Sequence, residues 1–183
     1  MKKIMIKFLR KVKFKFQAAL SALFARPSLS RVPFEIERIG TEYGGWWFAK
    51  TKTLKGSKVV FCGAGEDISF DIGFASLYSA GVYIVDPTPR AIDHVKSVLS
   101  RSGSGSESGF ALGGKQDPSS YDLSGIRGDQ ISLVEYALWN KNSILRFYSP
   151  SNPEHVSHSI VNYQNSYSND SDYIEVELSL IHI

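Results

Sequence analysis

A Gly-x-Gly turn between two apolar runs, the second of which ends in a carboxylate, is the feature of this chain best suited to chemistry. The first run is KVVFC at residues 58–62, the turn is GAG at residues 63–65, and the run VYIV at residues 82–85 ends at Asp86. Glycine lets the backbone approach a ligand closely, a helix start offers free N–H groups, and a carboxylate accepts hydrogen bonds from two ribose hydroxyls. The pattern predicts a half-site for an adenosine-containing cofactor.

The spacing within the turn favours a cofactor without phosphate. A dinucleotide site uses a third glycine three residues after the second, beside the pyrophosphate. This chain has Ile68 at that position, so S-adenosylmethionine fits better than a dinucleotide. The turn also departs from the common methyltransferase loop, with Phe61 in place of an acidic residue and Asp67 in place of a glycine. A strand-to-helix turn in a non-binding α/β domain is the alternative.

Several separated segments, in consistent order along the chain, resemble the FkbM family of S-adenosylmethionine-dependent methyltransferases. They are EYGGWW at 42–47, CGAGEDISF at 62–70, DPTPR at 86–90, and LRFYSP at 145–150 with VSHS at 156–159. The resemblance extends from about Tyr43 to about Glu177. It implies an α/β fold with a Rossmann-like class I methyltransferase sheet. It also implies methyl transfer to a hydroxyl oxygen of a sugar, glycan or natural product.

The resemblance assigns cofactor binding to six residues: Gly63, Ala64, Gly65, Glu66, Asp67 and Asp86. The first three would lie under the methionine and ribose parts of S-adenosylmethionine, and Asp86 would hold the ribose 2′- and 3′-hydroxyls. Apart from any ligand, Asp86 could instead cap a helix whose first position is Pro87. The two roles are compatible, because a cap at the carboxyl end of a strand lies where ligands bind.

The candidates for catalysis are two histidines, His155 and His158, in a segment that the resemblance places beside the acceptor or the cofactor. Methyl transfer depends chiefly on positioning, with help from a base. Taken alone, each histidine is an ordinary surface-loop residue. Their spacing of three is also compatible with metal binding, but no cysteine or further histidine completes a tetrahedral set, so no metal is expected.

Other aromatic and sulfur-containing residues are expected to have structural roles. The three tryptophans, Trp46, Trp47 and Trp139, are predicted to be core or pocket-wall residues, and Cys62 a small core residue. His94 is expected on the polar face of its helix. A single cysteine cannot form an internal disulfide, which suits a reducing cytoplasm.

The composition predicts one domain preceded by an arm. Residues 1–33 form a basic arm, residues 34–177 a partial methyltransferase domain, and residues 178–183 a truncated or non-native end. The acidic strand with which the family continues is not found, so the sheet is expected to be incomplete and the chain to lack turnover by itself. The Ser/Gly-rich composition of 100–128 predicts a flexible segment.

Apolar periodicity and turn residues predict the elements of the domain. The predicted strands are 58–62, 82–85, 131–138, 143–148 and 173–178, and the predicted helices are 68–79 and 90–100. Residues 34–52 are expected to be helical or irregular, and residues 139–142 to form a hairpin turn. The first two strands and the helix between them should form a parallel unit.

Charge is concentrated at the amino terminus. Residues 1–31 contain nine Lys or Arg and no acidic residue, which leaves 12 basic and 18 acidic residues in the remainder. The acidic body argues against nucleic acid binding. Residues 1–25 are compatible with a packed or disordered segment, with a basic amphipathic helix at an anionic membrane surface, or with a targeting signal. The location expected is cytoplasmic, with peripheral contact at the inner membrane face as an option.

Two other functions compete with methyl transfer to a small-molecule or glycan acceptor. A nucleotide-cofactor oxidoreductase would use the same turn, and Ile68 argues against it. A non-catalytic Rossmann-like binding module at a membrane surface would explain the basic arm. Titration with S-adenosylhomocysteine and with NAD separates these functions. The methyltransferase should bind the first ligand, the oxidoreductase the second, and the non-catalytic module neither.

Overall fold

The computed structural model describes residues 34–180. The predictions for the basic arm at 1–33, including its membrane contact, therefore lie outside the described residues. Residues 35–180 belong to one compact unit.

The unit begins with an antiparallel hairpin of β1 (Ile36–Ile39) and β2 (Trp46–Ala49). The prediction of a helical or irregular segment is therefore wrong here. The connection turns at Gly40, whose φ of +94° suits glycine, and is closed by a 2.9 Å hydrogen bond from Gly45 N to Thr41 O. The glycines of this segment thus form a turn between two strands that pair with each other.

A parallel three-stranded sheet follows, in the order β3 (Lys58–Cys62), β4 (Gly81–Val85) and β5 (Ile131–Val134). Its register pairs Phe61 of β3 with Ile84 of β4. The predicted strand 58–62 is confirmed, and 82–85 is confirmed with one added residue. Because the strands are parallel, their carboxyl ends lie at one edge of the sheet, where ligands bind in open α/β folds.

Two helices, α1 (Ser69–Tyr78) and α2 (Pro89–Leu99), connect the strands, close to the predicted bounds. Both contribute to a buried apolar cluster that includes Ile72, Ala75, Val82, Ile84, Val95 and Val98. Val82 and Ile84 alternate along β4 and therefore lie on one face of the sheet. Within residues 34–180, no helix has both the length and the apolar character that crossing a bilayer requires.

An aromatic cluster attaches the hairpin to α1. Phe70, Phe74 and Tyr78 recur every four residues along the helix and so lie on one side of it. Phe48 of β2 packs edge-on against Phe74 and Tyr78, with ring centroids 5.5 and 5.7 Å apart. This packing fixes the hairpin, whose turn reaches the carboxyl edge of the sheet.

A second small sheet has the order β6 (Ala137–Leu138), β8 (Tyr173–Ser179) and β7 (Ser143–Tyr148). β8 is parallel to β6 and antiparallel to β7, so it separates the two strands that were predicted to form a hairpin. The predicted hairpin is therefore wrong. The expected domain end at 177 falls inside β8, where Leu178 is buried.

Part of the segment 100–128 contributes to the core, which the prediction of a flexible connection did not foresee. Tyr121 and Leu123 are fully buried in the main apolar cluster. Arg101 donates a 2.7 Å hydrogen bond to Pro118 O and so holds the segment against the end of α2. The Ser/Gly-rich composition did not indicate that a few apolar residues and one arginine determine how the segment packs.

Asp71, in the first turn of α1, is a buried carboxyl group without a counter-charge. Only 6% of the residue is exposed, and its Oδ1 has no hydrogen-bond partner within the described residues. Burial, with a smaller contribution from the Asp67 charge, raises the pKa of Asp71 from 3.8 to about 7. The folded state therefore holds a proton that the unfolded state releases near pH 4.

We predict that Asp71→Asn flattens the pH dependence of stability. Because the folded-state pKa is raised, stability falls as pH rises from about 4 to about 7 and is then constant. In Asp71→Asn, the loss of unfolding free energy between pH 5 and pH 8 should shrink by about 1–3 kcal/mol. Urea unfolding at both pH values measures this loss. Asp93→Asn, on the exposed side of α2, is the control. An unchanged pH dependence in Asp71→Asn would contradict the assignment.

Candidate functional site

A cavity of about 630 Å³ lies at the carboxyl ends of β3 and β4. The residues of its wall that matter for the argument are Gly63, Gly65, Asp86, Thr88, Trp46 and His158. The structure therefore brings together the glycine turn and the carboxylate that the sequence singled out. We call this space the main cavity.

The Asp86 carboxylate joins the glycine turn to the start of α2. Its Oδ2 accepts hydrogen bonds from Ala64 N at 2.8 Å and Gly65 N at 3.3 Å. Its Oδ1 accepts from Thr88 N at 2.8 Å and Thr88 Oγ1 at 2.7 Å. The N-cap residue of α2 is Thr88 and Pro89 begins the helix, so the proposed capping role of Asp86 ahead of Pro87 is wrong. Asp86 instead orders two backbone segments from a buried position.

The turn depends on glycine at two positions. Gly63 and Gly65 have φ values of +88° and +54°, where a side chain is strained. A Cβ on Gly65 would also lie 3.4 Å from Val156 Cγ2, on the opposite wall. Glycine at 65 therefore keeps the space between the turn and that wall open.

Two backbone N–H groups at the start of α1 are not available to bind a phosphate group. Ile68 N donates to Tyr121 Oη at 3.1 Å, and Ser69 N donates to Asp67 Oδ1 at 3.0 Å. These donors are already used, and the Asp67 carboxylate would repel an anion. Asp67 does not line the main cavity but accepts a 2.6 Å hydrogen bond from Thr41 Oγ1, which ties α1 to the hairpin turn.

Glu66 also lies away from the main cavity, in a second cavity of about 450 Å³. Its carboxylate pairs with Arg90 and, at 3.6 Å, with Lys115 Nζ. The sequence prediction grouped Glu66 with the glycine turn. In the structure the glycine turn and Glu66 line different cavities. Both cavities have Tyr43, Val156 and Ser157 in their walls.

The loop 149–158 forms the wall opposite the glycine turn. Two backbone hydrogen bonds between Tyr148 and Ser159, of 2.7 and 3.1 Å, close its base. Arg90 Nη1 donates a 2.8 Å hydrogen bond to Pro153 O and so fastens the loop to the start of α2. Nothing in the local sequence signals this contact, which spans 63 residues.

The two candidate histidines fall on different cavities. His158 lines the main cavity, and its Nδ1 lies 3.0 Å from Val156 O. Since a carbonyl oxygen only accepts, Nδ1 donates in this contact, and in a neutral ring the lone pair is then on Nε2. His155 lines the second cavity. His94, expected on a polar helix face, is instead buried with Nε2 3.0 Å from Tyr121 Oη.

Burial lowers the pKa of His94 and favours its neutral form. The sequence did contain a signal for this position. Ala91, Val95 and Val98 mark the buried face of α2, and His94 lies beside Val95 at helical spacing from both of the others.

Two further predictions, about Cys62 and Trp47, are wrong. Cys62, expected in the core, is exposed at the end of β3 and lines the main cavity, and partial burial raises the pKa of its thiol. Trp47 is 67% exposed and is not a core residue, whereas Trp46 lines the main cavity. Thr88 was missed, although its position two residues after Asp86 is typical of an Asx turn.

Within residues 34–180, no group of three or more His, Cys, Asp or Glu side chains is arranged to hold a metal ion. Comparison of the chain with protein-family models, with curated proteins and with solved structures gave no match.

The single cysteine provides a direct test of the cavity. We predict that iodoacetamide alkylates Cys62 in the native protein, because the thiol is exposed. The reaction at pH 7.5 should be several-fold slower than in urea-unfolded chain, because the raised pKa leaves less thiolate. Mass spectrometry over time measures both rates. A native thiol that is inert, or one as reactive as in the unfolded chain, would contradict this description of the cavity wall.

Proposed function

We propose that this chain provides the cofactor-binding part of an S-adenosylmethionine-dependent O-methyltransferase similar to the FkbM family. The observation that carries the proposal is Asp86, a buried carboxylate at the end of β4 that is hydrogen-bonded to the glycine turn and lines the main cavity beside it. In this proposal β3, β4, β5 and their two helices are the first half of a Rossmann-like sheet. Such sheets bind nucleoside cofactors at the carboxyl ends of their strands.

The ribose of the cofactor is proposed to bind at Asp86. Four protein donors already surround this carboxylate, and a carboxylate has about four acceptor sites. The longest of these contacts, 3.3 Å to Gly65 N, is the one that ribose hydroxyls can most easily replace. Thr88 keeps the other oxygen fixed while this exchange occurs.

The hydrogen bonds already made by two N–H groups at the start of α1 support a cofactor without phosphate. A dinucleotide would place its pyrophosphate where Ile68 N and Ser69 N are already bonded and where Asp67 carries negative charge. The same observation disfavours the oxidoreductase alternative.

We assign His158 as the base for the acceptor hydroxyl. Bound S-adenosylmethionine supplies an electrophilic methyl group on its sulfonium. With the donor bound, His158 Nε2 would accept the proton of the acceptor hydroxyl as its oxygen takes the methyl group and S-adenosylhomocysteine leaves. The hydrogen bond of Nδ1 to Val156 O orients the ring for this role. The acceptor class is a hydroxyl of a small molecule or glycan.

We also propose a cytoplasmic location. This follows from the single cysteine, which suits a reducing compartment. The basic residues of the arm are proposed to add peripheral contact with an anionic membrane surface.

We predict that the 183-residue chain binds S-adenosylhomocysteine and does not bind NAD. Asp86→Ala should weaken S-adenosylhomocysteine binding more than about tenfold, because charged hydrogen bonds to the ribose are lost. Isothermal titration calorimetry measures both ligands.

Asp129→Ala, at an exposed carboxylate, is the matched control and should bind like the wild type. Circular dichroism verifies that Asp86→Ala remains folded, and Asp86→Asn serves as a second variant with nearly the same shape. The proposal fails if the wild type does not bind S-adenosylhomocysteine, or if folded Asp86 variants bind it with unchanged affinity.

A further inference from the structure

The hairpin of β1 and β2 has two faces that differ in their contacts. Ile39 and Phe48 lie on the inner face, where they pack against the aromatic cluster of α1. Side chains alternate along a strand, so Ile36 and Trp47 lie on the opposite face. Each of these two residues is 67% exposed. We call the face of the hairpin that carries Ile36 and Trp47 the outer face.

Charge is divided between the two faces of the hairpin. Glu35 and Glu37 alternate with the outer-face residues of their strand, and both carboxylates lie 3.4 Å from Lys50 Nζ. Arg38 belongs to the outer face, directly opposite Trp47. Its guanidinium donates hydrogen bonds to backbone carbonyl oxygens of the hairpin turn. The acidic side chains are thus on the inner side, and the outer face combines a cation with apolar side chains.

The segment that leaves the hairpin adds positive charge. Residues 50–58 contain four lysines and no acidic residue. Three of them, Lys52, Lys55 and Lys58, are exposed and make no ion pair within residues 34–180. The segment starts beside β1, where Lys50 N donates a 2.8 Å hydrogen bond to the backbone of residue 35. The outer face is therefore bordered by unpaired lysines at this end.

Exposed apolar side chains bordered by lysines have the chemistry of a surface that binds an anionic lipid bilayer. Tryptophan is favourable at the level of the lipid headgroups, where its ring has an apolar body and a polar N–H. Each lysine near a negatively charged leaflet strengthens binding roughly fivefold. The charge also has the same sign as that of residues 1–31, which contain nine Lys or Arg and no acidic residue.

We propose that the outer face docks on an anionic bilayer, with Ile36 and Trp47 at the level of the headgroups and Lys52 and Lys55 against their negative charges. This inference does not depend on methyl transfer. It places on the folded unit a membrane contact that is otherwise proposed only for the arm. Trp46, which lines the main cavity, lies on the inner face and takes no part in the contact.

Co-sedimentation of the full chain with vesicles tests the charge. Vesicles of mixed phosphatidylcholine and phosphatidylserine should bind the wild type, and vesicles of phosphatidylcholine alone should bind it much more weakly. Lys55→Glu should weaken binding to the mixed vesicles more than about tenfold, because an attraction becomes a repulsion. Lys141→Glu, at an exposed lysine of another segment, makes the same change of charge and should stay within about twofold of the wild type.

Quenching of tryptophan fluorescence by brominated lipid tests the apolar contact. The chain has three tryptophans, so each can be replaced in turn. Mixed vesicles that contain brominated lipid should quench the wild type, and Trp47→Phe should lose most of this quenching. Trp46→Phe, on the inner face of the same strand, and Trp139→Phe should retain it. Circular dichroism verifies that each variant is folded.

Three results would overturn the inference. The first is a wild type that does not bind the mixed vesicles. The second is binding without quenching of Trp47, which would leave the arm as the membrane contact. The third is an oligomer in sedimentation velocity that Ile36→Ser dissociates, which would make the outer face an interface between copies of the chain. None of these results affects S-adenosylhomocysteine binding, so the inference and the proposed function can fail separately.

Discussion

The hydrogen bonds of the Asp86 carboxylate are the interaction on which the rest of the site depends. The carboxylate lies at the end of β4 and accepts from the backbone of the preceding glycine turn and of the following helix start. Two chain segments that leave neighbouring strands are thereby held on either side of one buried charge. Because each N–H group would be costly to bury without a partner, the carboxylate determines the shape of the turn before any ligand binds.

Around this centre, three contacts bring distant segments to the cavities. Phe48 packs against α1 and positions the hairpin that carries Tyr43 and Trp46. Asp67 binds Thr41 and ties the hairpin turn to the start of α1. Arg90 fastens the loop 149–158 through Pro153. The site is therefore assembled from segments that are far apart in sequence, and each is attached to the same strand–helix–strand unit.

The elements of that unit could be predicted because their signals are local. The apolar run 58–62 ends at a glycine turn, α1 ends before Gly81, and Pro89 begins α2, so each boundary has a residue that marks it. The pairing of β8 between β6 and β7 could not be predicted, because register between distant strands leaves no local mark. Composition also gave no sign that Tyr121, which lies in a Ser/Gly-rich segment, is buried in the core. In the site, Asp86 and the glycine turn follow from spacing, whereas Arg90 and Lys115 around Glu66 require the folded chain.

The most direct measurement of the central claim is a crystal structure of this chain with S-adenosylhomocysteine. The account predicts the adenosine in the main cavity, both ribose hydroxyls within about 3.2 Å of the Asp86 carboxylate, and Gly65 N released from Oδ2. A ligand bound elsewhere, with Asp86 still bonded to Ala64 and Gly65, would contradict it.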